Sequence, residues 1–223
     1  MGGLIPGAST FAGPIDSLFM VVLIVTGVAF VLVEGILVYF LIRYRRRDGG
    51  KATYTHGDRR IELTWTIIPG LMLFGLALYQ YNTWIDAKIF MPGSDALVVD
   101  VSANQFEWEA TYPGGDGLMD TPDDIKAPIN ILHFPVNRPV IIRLTSVDVL
   151  HSFFIPALRV KQDAVPGRTI MFWFEATQQG EHDLACAELC GLGHYRMRGQ
   201  VTLESQADFD AWLEDLEARS QGN

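Results

Sequence analysis

The residues best equipped for chemistry in this 223-residue chain lie near its C-terminus, in Cys186-Ala-Glu188-Leu-Cys190-Gly-Leu-Gly-His194-Tyr-Arg-Met197. The second half of that run, C-x3-H-x2-M, presents a thiolate, an imidazole and a thioether on one short loop. Soft sulfur with imidazole suits copper, and one Cys, one Met and two His make up the ligand set of a mononuclear electron-transfer copper, the second His coming from an upstream strand. His151, directly after the apolar run 139–150, is the natural second imidazole. Cys186 is then left over, four residues before Cys190. Two thiolates can each bridge two copper ions, and an electron shared by both metals spreads the bond-length change on reduction. Reorganisation is then small, as a one-electron relay requires. Each copper would need one His, and the weaker ligands would be Met197 and a main-chain carbonyl. Three other uses of the pair stand beside this one: a structural disulfide, which an extracytoplasmic compartment permits; a C-x3-C copper-delivery site; and a zinc site, which would leave Met197 unused.

A cupredoxin-like domain is what such a ligand set needs around it, and the flanking sequence agrees. Beyond residue 95, short runs rich in Val, Ile, Phe and Trp alternate with turn residues, at 96–101, 105–112, 129–134, 139–146, 151–155, 169–176, 181–186 and 199–203. That spacing predicts an antiparallel β-sandwich or barrel. The Gly/Asp/Pro-rich piece 112–125 reads as a surface loop. Residues 205–219 place Phe209, Trp212, Leu213 and Leu216 at helical spacing, with Ser205 and Asp208 as a cap, and predict a C-terminal helix packed on the sandwich.

Composition shows how this domain is held. The chain is 49% hydrophobic and carries a formal charge of −9, with mean hydropathy above zero, an unusual pairing for one uniform domain. It excludes disordered and collagen-like classes. An acidic balance argues against nucleic acid as a partner. Two Cys exclude a disulfide-rich scaffold and a four-thiolate cluster. The average hides two objects. Residues 17–42 hold a single ionisable side chain, Glu34, and 63–84 hold none. Each run is long enough to cross a hydrocarbon core of ~30 Å as a helix. Pro69 kinks the second or marks its first full turn, and Tyr79, Tyr81 and Trp84 gather at its far end as interfacial aromatics do. Between them, residues 43–60 carry seven basic side chains against Asp48 and Asp58, a net charge of +5, whereas residues 1–16 contain no Lys or Arg. The positive-inside rule puts this loop in the cytoplasm and both termini outside. No basic segment precedes the first span, so a cleaved signal is not evident within these residues. From residue 86 onward the net charge is −11, which fits a basic partner steered by the field. Glu34, an acid in the first span, pairs with a neighbouring subunit in the commoner arrangement for such groups. The expected organisation is a transmembrane hairpin over residues 1–94 and a metal-bearing domain over 95–223.

The chain resembles subunit II of the haem–copper cytochrome c oxidases. The resemblance rests on Glu62-Leu-Thr-Trp65-Thr-Ile-Ile-Pro69 at the second span, Asp148-Val-Leu-His151-Ser, the run from Val160 to Arg168 containing Asp163 and Pro166, and the Cys186 to Met197 loop. It implies a binuclear copper A centre in which Cys186 and Cys190 bridge, His151 and His194 bind terminally, Met197 is the weak sulfur ligand and Glu188 gives its main-chain carbonyl. It further implies a magnesium ion at the Glu188 side chain, shared with the large haem-bearing subunit I. Glu62 matches the acid at the mouth of a proton channel; the residues alone would make it a helix cap. The implied partners are subunit I, further oxidase subunits, a c-type cytochrome donor and the cell (inner) membrane, with the copper domain on the outer side. Where the family has Gln-Trp-x-Trp at the point of electron arrival, this chain has Gln105-Phe106-Glu107-Trp108, which hints at an altered donor contact; Trp108 reads equally as a core residue. No C-x2-C-H is present, so no covalent haem is expected. A membrane-anchored copper store or delivery module and a copper-less quinol oxidase subunit are the alternative functions.

Overall fold

The computed structural model describes residues 5–47, 49–51 and 53–221. Positions 48 and 52 of the basic loop lie outside them. Two compact units emerge, Asp16–Asn82 and a second formed by Met1–Ile15 with Thr83–Asn223.

The first unit holds most of α1 (Ala12–Arg43) and α2 (Arg59–Lys88), helices of 32 and 30 residues whose outer ends, 12–15 and 83–88, fall in the second. α1 begins about a turn before the expected span and ends one residue beyond it, and α2 exceeds its span by about a turn at each end. At 1.5 Å per residue they reach roughly 48 and 45 Å, enough for a bilayer core with its interfaces. Pro14 sits in the first turn of α1, where a missing N–H costs nothing. At the start of α2 the Asp58 carboxylate accepts from Arg60 N–H at 2.7 Å, so Asp58 is the cap and Glu62 lies one turn in. Pro69 falls well inside α2 and does not begin it.

The second unit is a β-sandwich with a helix. Its strands are β1 (Leu97–Asn104), β2 (Glu107–Tyr112), β3 (Ile125–Lys126), β4 (Ile131–Pro135), β5 (Pro139–Ser146), β6 (His151–Ile155), β7 (Val160–Ala164), β8 (Ile170–Glu175), β9 (Gly180–Cys186) and β10 (Arg198–Glu204). They form two five-stranded sheets in the orders β3-β2-β1-β5-β8 and β4-β10-β9-β6-β7. Strict alternation drives the layering, as in β1, where every second residue from Leu97 to Ala103 is buried. Phe134, Phe153, Phe172 and Phe174 fill the space between the sheets with Val99, Ile142, Leu144, Leu184 and Val201.

The sheets are mixed, not antiparallel throughout: β1 pairs with β5 and β4 with β10 in parallel. In each case the chain crosses to the other sheet by short connections, such as 127–130 and 136–138, before it returns beside an earlier strand. Two strands were not anticipated. β7 has the polar sequence VKQDA, and β3, two residues long, ends the stretch read as a loop. Both lie at sheet edges, where one side chain row meets solvent and charges discourage further pairing, so neither shows an apolar period.

The segment before α1 belongs to the sandwich. Ala8 N–H donates to Ala157 O at 2.8 Å, Ser9 Oγ–H to Leu158 O at 2.6 Å, and Phe11 meets Trp173 edge-on at 4.8 Å. At the other end α3 (Gln206–Gln221) starts from a reciprocal cap, with Asp208 N–H on Ser205 Oγ at 3.2 Å and Ser205 Oγ–H on the Asp208 carboxylate at 2.6 Å. Trp212 of this helix stacks on His133 of β4 at 4.1 Å and meets Tyr112 of β2 at 5.2 Å, so the helix spans the two sheets where β2 and β4 come together.

Candidate metal centre

Strand pairing places the sulfur and imidazole groups. β6 and β9 run antiparallel with Phe153 opposite Cys186, and Ala187 N–H donates to Ser152 O at 2.9 Å, so His151 reaches the end of β9. β9 and β10 are also antiparallel, pairing Ala185 with Arg198. Cys186 and Met197 therefore face each other at the base of the connecting loop, where Cys186 N–H donates to Met197 O at 3.1 Å. A short 3-10 turn, His194–Arg196, brings His194 back over the loop.

The six expected groups converge. Cys186 Sγ lies 3.8 Å from Cys190 Sγ, 3.9 Å from His151 Nδ1 and 3.2 Å from Glu188 O. Cys190 Sγ lies 3.7 Å from both His194 Nδ1 and Met197 Sδ. The ligand atoms of His151, Cys186 and Cys190 all fall within 4.8 Å of one another. His151, Cys186, Cys190 and Met197 are buried, and His194 and Glu188 partly so. The cysteines are free, and their sulfurs stand far beyond the ~2.05 Å of a disulfide. Burial, and then the neighbouring Cys186, push the Cys190 thiol well above its ordinary range. Ionising Cys190 in that pocket is therefore costly, and a bound cation is what would stabilise its thiolate. The donor set of two thiols, two imidazoles and a thioether fits copper, and the thioether has no use in a zinc site.

The imidazole is aimed by a partner outside the ligand set. His151 Nε2–H donates to Asp148 at 2.8 Å, which turns Nδ1 toward the thiols. Burial works to raise the Asp148 carboxyl, but hydrogen bonds from His151, Val149 N–H and Gln105 N–H outweigh it and hold the group below the usual carboxylate range. Ser152 Oγ–H donates to Asp163 at 2.7 Å, tying β6 to β7 beside the ligand.

Trp108 is fully buried, edge-on to Phe153 at 5.6 Å and to His151 at 6.2 Å. It is at once a core residue and a neighbour of the His151 imidazole. Phe106 is partly buried and packs over the ligand loop, with the Arg196 guanidinium 5.9 Å from its ring centre. Glu62 and Glu34 stand on α2 and α1 in the helical unit and take no part in this cluster. The sequence reading passed over Gln105 and Asp148 as individual contributors. The i, i+3 spacing of Asp148 and His151 was the available signal for the second.

Two family profiles match the chain: the transmembrane domain of cytochrome c oxidase subunit II over residues 2–83 and its periplasmic domain over residues 124–204. An alternative cytochrome c oxidase subunit 2 of Bradyrhizobium diazoefficiens is 31% identical over an alignment spanning 91% of this chain and 80% of that one. The chain belongs to the cytochrome c oxidase subunit II family. A cytochrome c oxidase subunit 2 of Synechocystis sp. is 30% identical over 95% of this chain and 75% of its own. Among solved structures, the periplasmic domain of subunit II of the Bradyrhizobium japonicum cytochrome oxidase superposes with a TM-score of 0.50 at 27% identity, covering 58% of this chain and 99% of that one. As a subunit II, the chain is a component of an oxidoreductase, with two apolar helices ahead of an outer β-sandwich whose buried His, Cys and Cys form a potential metal site.

Proposed function

We propose that the sandwich is the electron-accepting domain of a respiratory oxidase and that its ligand loop holds a copper A pair. The observation that supports this most strongly is the convergence of six donor groups, two of them thiols 3.8 Å apart, in one buried pocket. When bound, the copper pair supplies a one-electron relay from a c-type cytochrome to haem in subunit I, where oxygen is reduced to water and protons are translocated.

The chain's own residues hold and isolate the metals. Cys186, Cys190, His151 and His194 would be the strong ligands of the copper pair, and Met197 and the Glu188 main-chain carbonyl its weak ones. Strand pairing at Cys186 and Met197 makes the base of the loop rigid, which limits reorganisation. Phe153, Trp108 and Leu184 exclude water behind the pocket. The Glu188 side chain would be this chain's ligand to a magnesium ion shared with subunit I, and Glu62 would stand at the cytoplasmic mouth of a proton channel. As functional parts, residues 1–94 are the anchor and 95–223 the metal-bearing domain, with residues 5–15 fastened to the latter. Both termini and the sandwich lie outside the cell membrane, and the basic loop lies in the cytoplasm.

The donor is a basic cytochrome drawn to the acidic outer domain. Rapid mixing of the intact oxidase with a reduced basic c-type cytochrome tests this. The second-order rate should fall severalfold between low and physiological ionic strength as charges are screened. A rate independent of salt would contradict the steering and favour a donor held permanently in a larger assembly.

A further inference from the structure

The turn between β1 and β2 is inserted into the ligand loop. A Cβ on Gly191 would lie 2.6 Å from Gln105 Nε2, and one on Gly193 would lie 2.6 Å from Phe106 Cγ. Gly191 also has φ +139°, a conformation side chains rarely adopt. The two glycines of Cys190-Gly-Leu-Gly-His194 thus clear the space that Gln105 and Phe106 fill. Within that space Gln105 bonds in two directions. Its side-chain N–H donates to the main-chain carbonyl of Cys190, 85 residues away in sequence. Its backbone N–H donates to one oxygen of Asp148 at 2.8 Å, while the other Asp148 oxygen takes His151 Nε2–H at 2.8 Å.

One residue therefore connects a thiol ligand to an imidazole ligand that comes from a different strand. We propose that Gln105 is a positioning residue of the metal centre: it fixes the Cys190 peptide against the Asp148–His151 pair and so holds the separation between ligands contributed by β6 and by the β9–β10 loop. Cys190 follows a bend and precedes a glycine, and its carbonyl has no strand partner to orient it. The Gln105 amide supplies that restraint. Asp148 orients only the imidazole, and Phe106 contributes packing without a hydrogen bond. The proposal rests on the copper reading above and goes further in naming the side chain that sets the geometry.

The test uses the full-length chain in detergent, reconstituted with copper, and compares Gln105→Lys, Gln105→Glu and Gln105→Met. Lysine retains an N–H donor of similar reach; glutamate and methionine offer the Cys190 carbonyl none. The readouts are the rate of copper loss to a competing chelator and the copper hyperfine pattern in electron paramagnetic resonance, neither of which requires turnover. We expect Gln105→Glu and Gln105→Met to lose copper about tenfold faster, in the range for removal of a partner outside the ligand set, with an altered hyperfine pattern. Gln105→Lys should stay close to the parent. If charge alone mattered, the order would reverse, with glutamate holding the cations most tightly and lysine least. That reversed order, or equal rates and spectra for all three, would overturn the proposal. Should Gln105→Met fail to fold, the Lys and Glu variants still decide it. A parent chain that takes up no copper would instead refute the underlying copper reading.

Discussion

In the unit Asp16–Asn82 none of the described residues is buried: Phe19, Leu23, Phe30, Leu71 and Leu73 all face outward from their helices. In the sandwich the equivalent apolar residues face one another, and Val99, Trp108, Phe134, Phe153 and Leu184 are sealed from solvent. The same residue types are thus used in opposite ways. The helices are apolar toward a surrounding that must come from lipid or neighbouring subunits. The strands are apolar toward each other, and that internal packing is what can hold the six donor groups of the pocket at fixed separations. Chemistry that depends on fixed distances therefore sits in the half of the chain that carries its own core.

The sharpest break of this comparison comes at the ligands themselves. Cys190→Ser should abolish the binuclear signal and lower electron transfer into the oxidase by more than about 100-fold, beyond the effect of losing a partner outside the ligand set. Metal analysis and rapid mixing check it; a full copper complement would mean that Cys190 does not bridge.

A paired deletion probes packing. Trp108→Ala should destabilise the sandwich by about 3–5 kcal/mol in thermal or denaturant unfolding of the metal-free chain. Leu71→Ala, on the outward face of α2, should leave that transition where it is. Equal effects from the two would contradict the division between an internally packed unit and an externally covered one.

A gentler change is expected from Met197→Leu, which keeps both coppers and moves the reduction potential, since the weak ligand tunes the metal more than it retains it. Redox titration reads the shift. Loss of metal would rank Met197 with the strong ligands.

The smallest effect concerns pH. Burial holds the Tyr112 phenol well above its ordinary range, where it bridges β2 and β4 by donating to His133 O at 3.0 Å. A folded-state value above the unfolded one means that stability is fully present below pH ~10 and is lost as pH rises past it. Tyr112→Phe should therefore flatten the alkaline limb of the stability curve of the metal-free chain, while costing about 1 kcal/mol at neutral pH for the lost hydrogen bond. An unchanged alkaline slope would show that this phenol is not what titrates.

The ligand loop was legible because its six groups lie close together in sequence apart from His151, and because sulfur and imidazole at that spacing have few uses. The spans were legible from length and from the scarcity of charge, Glu34 alone in both, and the central strands from alternation. The edge strands β3 and β7 were not, because a strand exposed on one edge carries charges such as Lys161 and Asp163 in place of an apolar period. The clasp of Ser9 on Leu158 and the bond from Gln105 to Cys190 were invisible for another reason. Each joins residues that only the finished sandwich brings together, and neither changes the local pattern. Gly191 and Gly193 were readable as loop glycines, but not as the space into which Phe106 fits.

The central claim is that this pocket holds two coppers sharing one electron. Electron paramagnetic resonance of the copper-reconstituted full-length chain, with the metal-to-protein ratio measured on the same sample, tests it directly. Two coppers per chain and a seven-line hyperfine pattern from one unpaired electron spread over both are expected; a four-line pattern with one copper per chain would contradict the pair.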